Sequence, residues 1–156
     1  MSGSGKQHIY LDSCIIIGFI KPNDDMNRES NKIIHKISGM LKYKTINVYL
    51  SNLVLAEVLR EISSEREFYN FQTFIDLVSP EYRSIDFETM RIALEIHDVD
   101  DRIEPQDALI VASAIGDPYS TRFITYDSKI LESVGLRDLV NKRSGRKNRL
   151  RFTSDI

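Results

Sequence analysis

Short apolar segments with strand character alternate along the chain with longer segments whose apolar residues recur at helical spacing, and this alternation narrows the fold more than any other feature. His8 to Leu11 predicts a strand that ends at Asp12, Thr45 to Leu50 a β-branched and aromatic second strand, and Arg122 to Thr125 another. A weaker strand runs through Tyr82 to Ile85. Between them, Ile33, Ile34, Ile37, Met40 and Leu41 keep helical period over Arg28 to Lys42, as do Phe71, Phe74, Ile75 and Val78 over Phe68 to Val78. Ser51 or Asn52, Asp86 and Pro105 stand where helices begin, and Pro80 and Gly116 where they stop. Strands joined through helices predict a parallel sheet covered on both faces.

A chain of 156 residues suits one domain with its own core. Met1 to Gln7 is polar and reads as a flexible leader, residues 8–140 as the domain, and residues 141–156 as a basic tail. No apolar run approaches the roughly 20 residues that span a bilayer, so no membrane role is expected. Cys14 is the single cysteine, which excludes an internal disulfide and a multi-cysteine zinc site and fits a cytoplasmic protein. Its apolar surroundings predict a small buried hydrophobe.

The net charge of −2 conceals an asymmetry. Six of the 21 basic residues, Lys142, Arg143, Arg146, Lys147, Arg149 and Arg151, crowd one acid-free stretch, so the remaining 15 face 23 acids. That stretch is a candidate for sequence-independent, salt-sensitive contact with RNA phosphates.

The chemistry lies in where four acids fall. Asp12 and Asp127 each follow a strand and precede a helix, and ligands of open parallel sheets gather at strand carboxyl ends. Glu57 sits among Leu53, Val54, Leu55, Ala56, Val58 and Leu59, and Asp107 in the first turn of the helix that opens at Pro105. Acids in such apolar settings must be solvated, paired or metal-bound. At about 4 Å and an effective dielectric near 20, each like-charged pair costs on the order of 4 kcal/mol. A divalent cation removes that cost, and an oxygen-only donor set favours Mg²⁺ or Mn²⁺ over Zn²⁺. Read singly, each acid is also an ordinary cap, turn or helix-dipole residue.

The segments that carry these acids resemble the motifs of the PIN-domain family. Tyr10-Leu11-Asp12-Ser13 looks like its opening motif and Ser51-Asn52-Leu53-Val54-Leu55-Ala56-Glu57-Val58 its second. Pro105-Gln106-Asp107-Ala108-Leu109-Ile110-Val111-Ala112-Ser113-Ala114 is similar to the third and is the most specific match, and Phe123-Ile124-Thr125-Tyr126-Asp127 to the fourth. The resemblance runs from about His8 to Val140. It implies a three-layer α/β/α sandwich around a parallel sheet of four to five strands. It also implies Mg²⁺- or Mn²⁺-dependent endoribonuclease activity on single-stranded RNA, with Asp12, Glu57, Asp107 and Asp127 as catalytic and metal residues. Ser13 and Thr125 fall where the family places supporting hydroxyls. VapC-type toxins of this family add an antitoxin partner and a homodimer, although the basic tail departs from the compact toxin pattern and leaves an RNA-processing nuclease as the other expectation.

Two rival classes stand beside this one. A catalytically silent RNA- or protein-binding module would keep the fold without needing metal. A phosphate-receiving signalling domain would want an acidic pair at its first strand, where this chain has Asp12 followed by Ser13 and Cys14. Gly3-Ser4-Gly5-Lys6 lacks the strand, first glycine and final hydroxyl of a phosphate loop. Asp98, Asp100 and Asp101 read as a solvated acidic loop, and His35 and His97 as ordinary helix residues.

Overall fold

In the computed structural model, which describes residues 6–143 and 150–156, five parallel strands lie in the order β3-β2-β1-β4-β5. The chain builds β1 (Gln7–Leu11), α1 (Ser13–Ile20), α2 (Asn27–Lys42), β2 (Ile46–Ser51), α3 (Asn52–Glu61), α4 (Glu65–Val78) and β3 (Glu81–Arg83). It continues through α5 (Phe87–Val99), α6 (Pro105–Ile115), β4 (Ser120–Ile124), α7 (Ser128–Leu131), α8 (Val134–Lys142) and β5 (Arg151–Thr153). Residues 1–5, which hold most of the expected leader and the Gly3-Ser4-Gly5 run, lie outside the described residues.

Consecutive side chains of a strand point to opposite faces. Ile9, Tyr10 and Leu11 are nonetheless all buried, so helices cover both sides of the central strand. One helix group packs α1 against α2 and α4, the other packs α5 against α6 and α8, and α3 touches both α1 and α6. This is the expected α/β sandwich. Gly18 permits the close approach of α1 and α2, because a Cβ there would run into the Ser30 hydroxyl.

Strand order places the candidate site. From β1 the chain steps one way to β2 and β3, then returns to the far side of β1 for β4 and β5. The order reverses between β1 and β4, and crevices open beyond the carboxyl ends of strands at such a reversal. Asp12 follows β1, and Asp127 lies three residues past β4.

Three expectations change. The one helix expected after Asp127 is two, α7 and α8, because α7 stops at Leu131 and Ser133 caps the next by accepting Leu136 N–H. The basic stretch is not wholly a tail: Asn141 and Lys142 finish α8, and Arg151–Thr153 joins the sheet beside β4. Leu150 is buried and Phe152 packs on Phe123, apolar anchors that the surrounding arginines obscure in the sequence. Asp100, expected in a solvated loop, has a 7% exposed side chain that accepts from Ser133 Oγ and from Arg102, and these bonds hold its carboxyl well below the usual range.

Candidate active site

Asp12 sits at the reversal point and caps α1. Its Oδ1 accepts Ser13 N–H at 2.8 Å and its Oδ2 accepts the Thr125 hydroxyl at 2.7 Å. The same Thr125 oxygen accepts Asp127 N–H at 3.0 Å. One fully buried hydroxyl therefore ties the acid after β1 to the acid after β4. Asp127 caps α7 through Lys129 N–H at 2.9 Å. Both aspartates are helix caps as well as members of the acidic cluster.

Glu57 reaches the same place from the second turn of α3, where its Oε2 accepts from Gln106 Nε2. Gln106 belongs to the Pro105-Gln106-Asp107 motif, yet nothing in the sequence separates it from an ordinary first-turn residue. Asp107, next along α6, is half-buried. Asp12, Glu57, Asp107 and Asp127 line one cavity of ≈ 470 Å³ together with Ser13, Cys14, Arg60, Glu61 and Tyr126. Ser13 serves Asp12 through its backbone. Tyr126 shares a 2.9 Å hydrogen bond with Ser30 of α2, which braces that wall.

Electrostatics set this cavity apart. Burial first, and then the nearby Glu57 and Asp127, push the Asp12 carboxyl up from its usual range despite the opposing Thr125 and Ser13 hydrogen bonds. Burial followed by Asp12, Asp127, Glu57 and Glu104 pushes Asp107 up to about 6. Arg60 is the cation among the lining residues. Cys14 lies 3.8 Å from Asp12 and accepts Tyr126 N–H at 3.3 Å. Burial and Asp12 push its thiol up to about 12, so it is an inert wall, partly exposed rather than fully buried.

The donor chemistry suits a hard divalent cation, since Asp12, Glu57, Asp107 and Asp127 all offer oxygen. Among the described residues, however, no three His, Cys, Asp or Glu side chains are grouped as a metal site. Hydrogen bonds already engage three of the acids: Thr125 and Ser13 hold Asp12, Gln106 holds Glu57, and the α7 cap holds Asp127. The carboxylates share a cavity and repel one another across it.

Of the basic stretch near the C-terminus, the described residues Lys142, Arg143 and Arg151 are not among those that line the carboxylate cavity. Arg143 is engaged with Glu88 at 3.4 Å and Glu95 at 3.5 Å, so it fastens α8 to α5. Lys142 is exposed at the end of α8, and Arg151 is exposed on β5. Arg146, Lys147 and Arg149 lie outside the described residues.

A second buried acid escaped sequence reasoning. Asp117, between α6 and β4, accepts from Tyr10 at 2.8 Å and Tyr119 N–H at 2.9 Å, pairs with His8 Nδ1 at 2.7 Å, and has Arg83 at 3.6 Å. Arg83 in turn stacks over Tyr49, 4.3 Å from the ring centroid. Gly116 and Pro118 mark a turn around Asp117, but no local pattern pairs it with a histidine 109 residues away.

The PIN domain family model matches residues 9–135 of the chain. The fold is similar to that of a chain in the crystal structure of VapBC2 from Rickettsia felis bound to a DNA fragment from their promoter. The two superpose with a TM-score of 0.60 at 18% identity, over 94% of this chain and 98% of that one. No curated protein matches this chain closely enough to count as a relative.

Proposed function

Because the chain belongs to the PIN domain family, we propose that it is a divalent-metal-dependent endoribonuclease that hydrolyses single-stranded RNA at the cavity of Asp12, Glu57, Asp107 and Asp127. The observation that carries the reading is the convergence of four acids from four distant segments on one cavity where, among the described lining residues, Glu61 adds a fifth carboxylate and Arg60 is the one cation. Uncompensated carboxylate charge at the switch point of a parallel sheet calls for a cation.

Asp12, Glu57 and Asp107 would hold Mg²⁺ or Mn²⁺ directly or through water, with Asp127 supporting the same or a second ion. Such an ion, when bound, lowers the pKa of a water and neutralises charge at the phosphate. The chain's own groups do the positioning. Thr125 fixes the Asp12 carboxylate, Gln106 holds Glu57 against α6, and Ser13 N–H keeps one Asp12 oxygen occupied. Asp107 takes up a proton near pH 6 and thereby competes with cation binding as pH falls. Hydrolysis breaks one phosphorus–oxygen bond, with water supplying hydroxyl to phosphorus and a proton to the leaving oxygen.

Similarity of fold to VapBC2 favours a toxin held by an antitoxin over a nuclease of RNA processing. A homodimer and a cytoplasmic setting belong to this reading. Phe87, Met90 and Leu94 stand exposed on α5, an apolar stripe at helical spacing, and no helix among the described residues is long and apolar enough to cross a membrane.

Incubating the purified chain with unstructured RNA and Mn²⁺ should yield cleavage that a chelator stops. Calorimetry with Mn²⁺ alone separates the rival: a chain that takes up no Mn²⁺ and cuts no RNA is a silent module.

A further inference from the structure

We infer that a second cavity, beside α7 and lined by Arg137 and Arg151, binds a backbone phosphate of single-stranded RNA next to the carboxylate cavity. Naming RNA rests on the nuclease reading; the anion site itself rests on the geometry below.

The cavity measures ≈ 290 Å³ and lies between the end of α7, α8 and β5. Leu131, Asn141 and Phe152 form its walls with the two arginines, and no carboxylate is among its described lining residues. Arg122 of β4 is the register partner of Arg151, which brings a third guanidinium alongside. Like charges at paired positions of a sheet destabilise it unless something between them is negative. Among the described residues, none of these three arginines pairs with a carboxylate. Arg83, Arg102 and Arg143 all do. Arg137 spends only its Nε, on the Ser133 carbonyl at 3.4 Å, and keeps the rest of its fork. Planar guanidinium forks match phosphate oxygens in geometry as well as in charge.

Location selects the ligand. Asp127 caps α7 and Leu131 ends it. Asp127 lines the carboxylate cavity and Leu131 the arginine cavity, and four residues at the helical rise set these two positions about 6 Å apart along the axis. One polyanion can therefore present a phosphate to the carboxylates and a neighbouring one to the arginines. This also answers how an acidic cleft tolerates a polyanion, since the attraction comes from the far side of one short helix.

The test measures binding of a single-stranded RNA oligonucleotide to the full chain by fluorescence anisotropy, with chelator present so that nothing is cut, over a range of salt concentrations. The slope of log affinity against log salt should flatten by about 0.7 in Arg137→Gln/Arg151→Gln, the value for one single-strand phosphate that is no longer neutralised. Arg137→Lys/Arg151→Lys keeps the charges and should keep the slope. An unchanged slope in the glutamine pair, or an equal fall in the lysine pair, overturns the inference. So does a fall seen with single-stranded DNA and not with RNA. If the unaltered chain fails to cut RNA with Mn²⁺ while the slope still falls as expected, the anion site stands and the nuclease reading fails.

Discussion

Asp12 and Asp117 are equally buried, at 6% and 7% exposure, and their surroundings are opposite. Asp117 is surrounded by donors: His8, Tyr10, the Tyr119 amide and Arg83 share its two oxygens. Asp12 receives a hydroxyl and one amide, and its charged neighbours are Glu57 and Asp127. A buried charge that meets its partners inside the fold is a structural element. One that meets only more acids is stable as a carboxylate when something from outside supplies positive charge. On the proposed function, the contrast separates an acid that holds the fold from one that is available to a ligand.

The sharpest way to break that comparison is to neutralise each acid in turn. Asp12→Asn should bring Mn²⁺-dependent RNA cleavage below detection while the metal-free protein unfolds at no lower denaturant concentration than the unaltered chain. Asp117→Ala should lose about 3 kcal/mol in denaturant unfolding, the cost of stranding buried donors around a lost carboxylate. Reversed results, with Asp12 essential to stability and Asp117 dispensable, would show that burial alone governs both.

A subtler change sharpens the Asp12 side. Thr125→Val removes the hydroxyl that orients Asp12 while leaving all four acids in place. Loss of a group that orients a metal-holding residue costs about 10- to 100-fold in metal affinity or activity. Mn²⁺ titration by calorimetry, paired with the cleavage rate, should record a drop of that size.

The smallest effect is a pH dependence. A carboxyl whose folded pKa is raised binds its proton more tightly in the folded state, so the fold gains stability as pH falls. For Asp107 the gain accrues between about 6 and its ordinary 3.8. The metal-free protein should therefore melt a few degrees higher near pH 5 than at pH 7 in scanning calorimetry. Asp107→Asn should flatten the difference. Further acidification should reverse the gain, because Asp100, held low by Arg102 and Ser133, contributes stability that disappears as it protonates. A melting temperature that falls steadily from pH 7 to pH 5 would mean that the acidic cavity carries no excess charge.

The local alphabet of the sequence determined most of the elements and the membership of the acidic cavity. Strand composition, helical period and cap residues act over a few neighbours, which is why β1, β2, α3, α6 and the four acids are readable without coordinates. The fold alone decided how each charge is spent. Gln106 reaches Glu57 across 49 residues, Arg143 turns to the acids of α5, His8 meets Asp117, and Arg151 enters the sheet beside Arg122. Electrostatic and hydrogen-bond energies depend on distance in space, and separation along the chain carries no information about that distance until the strands have taken their order.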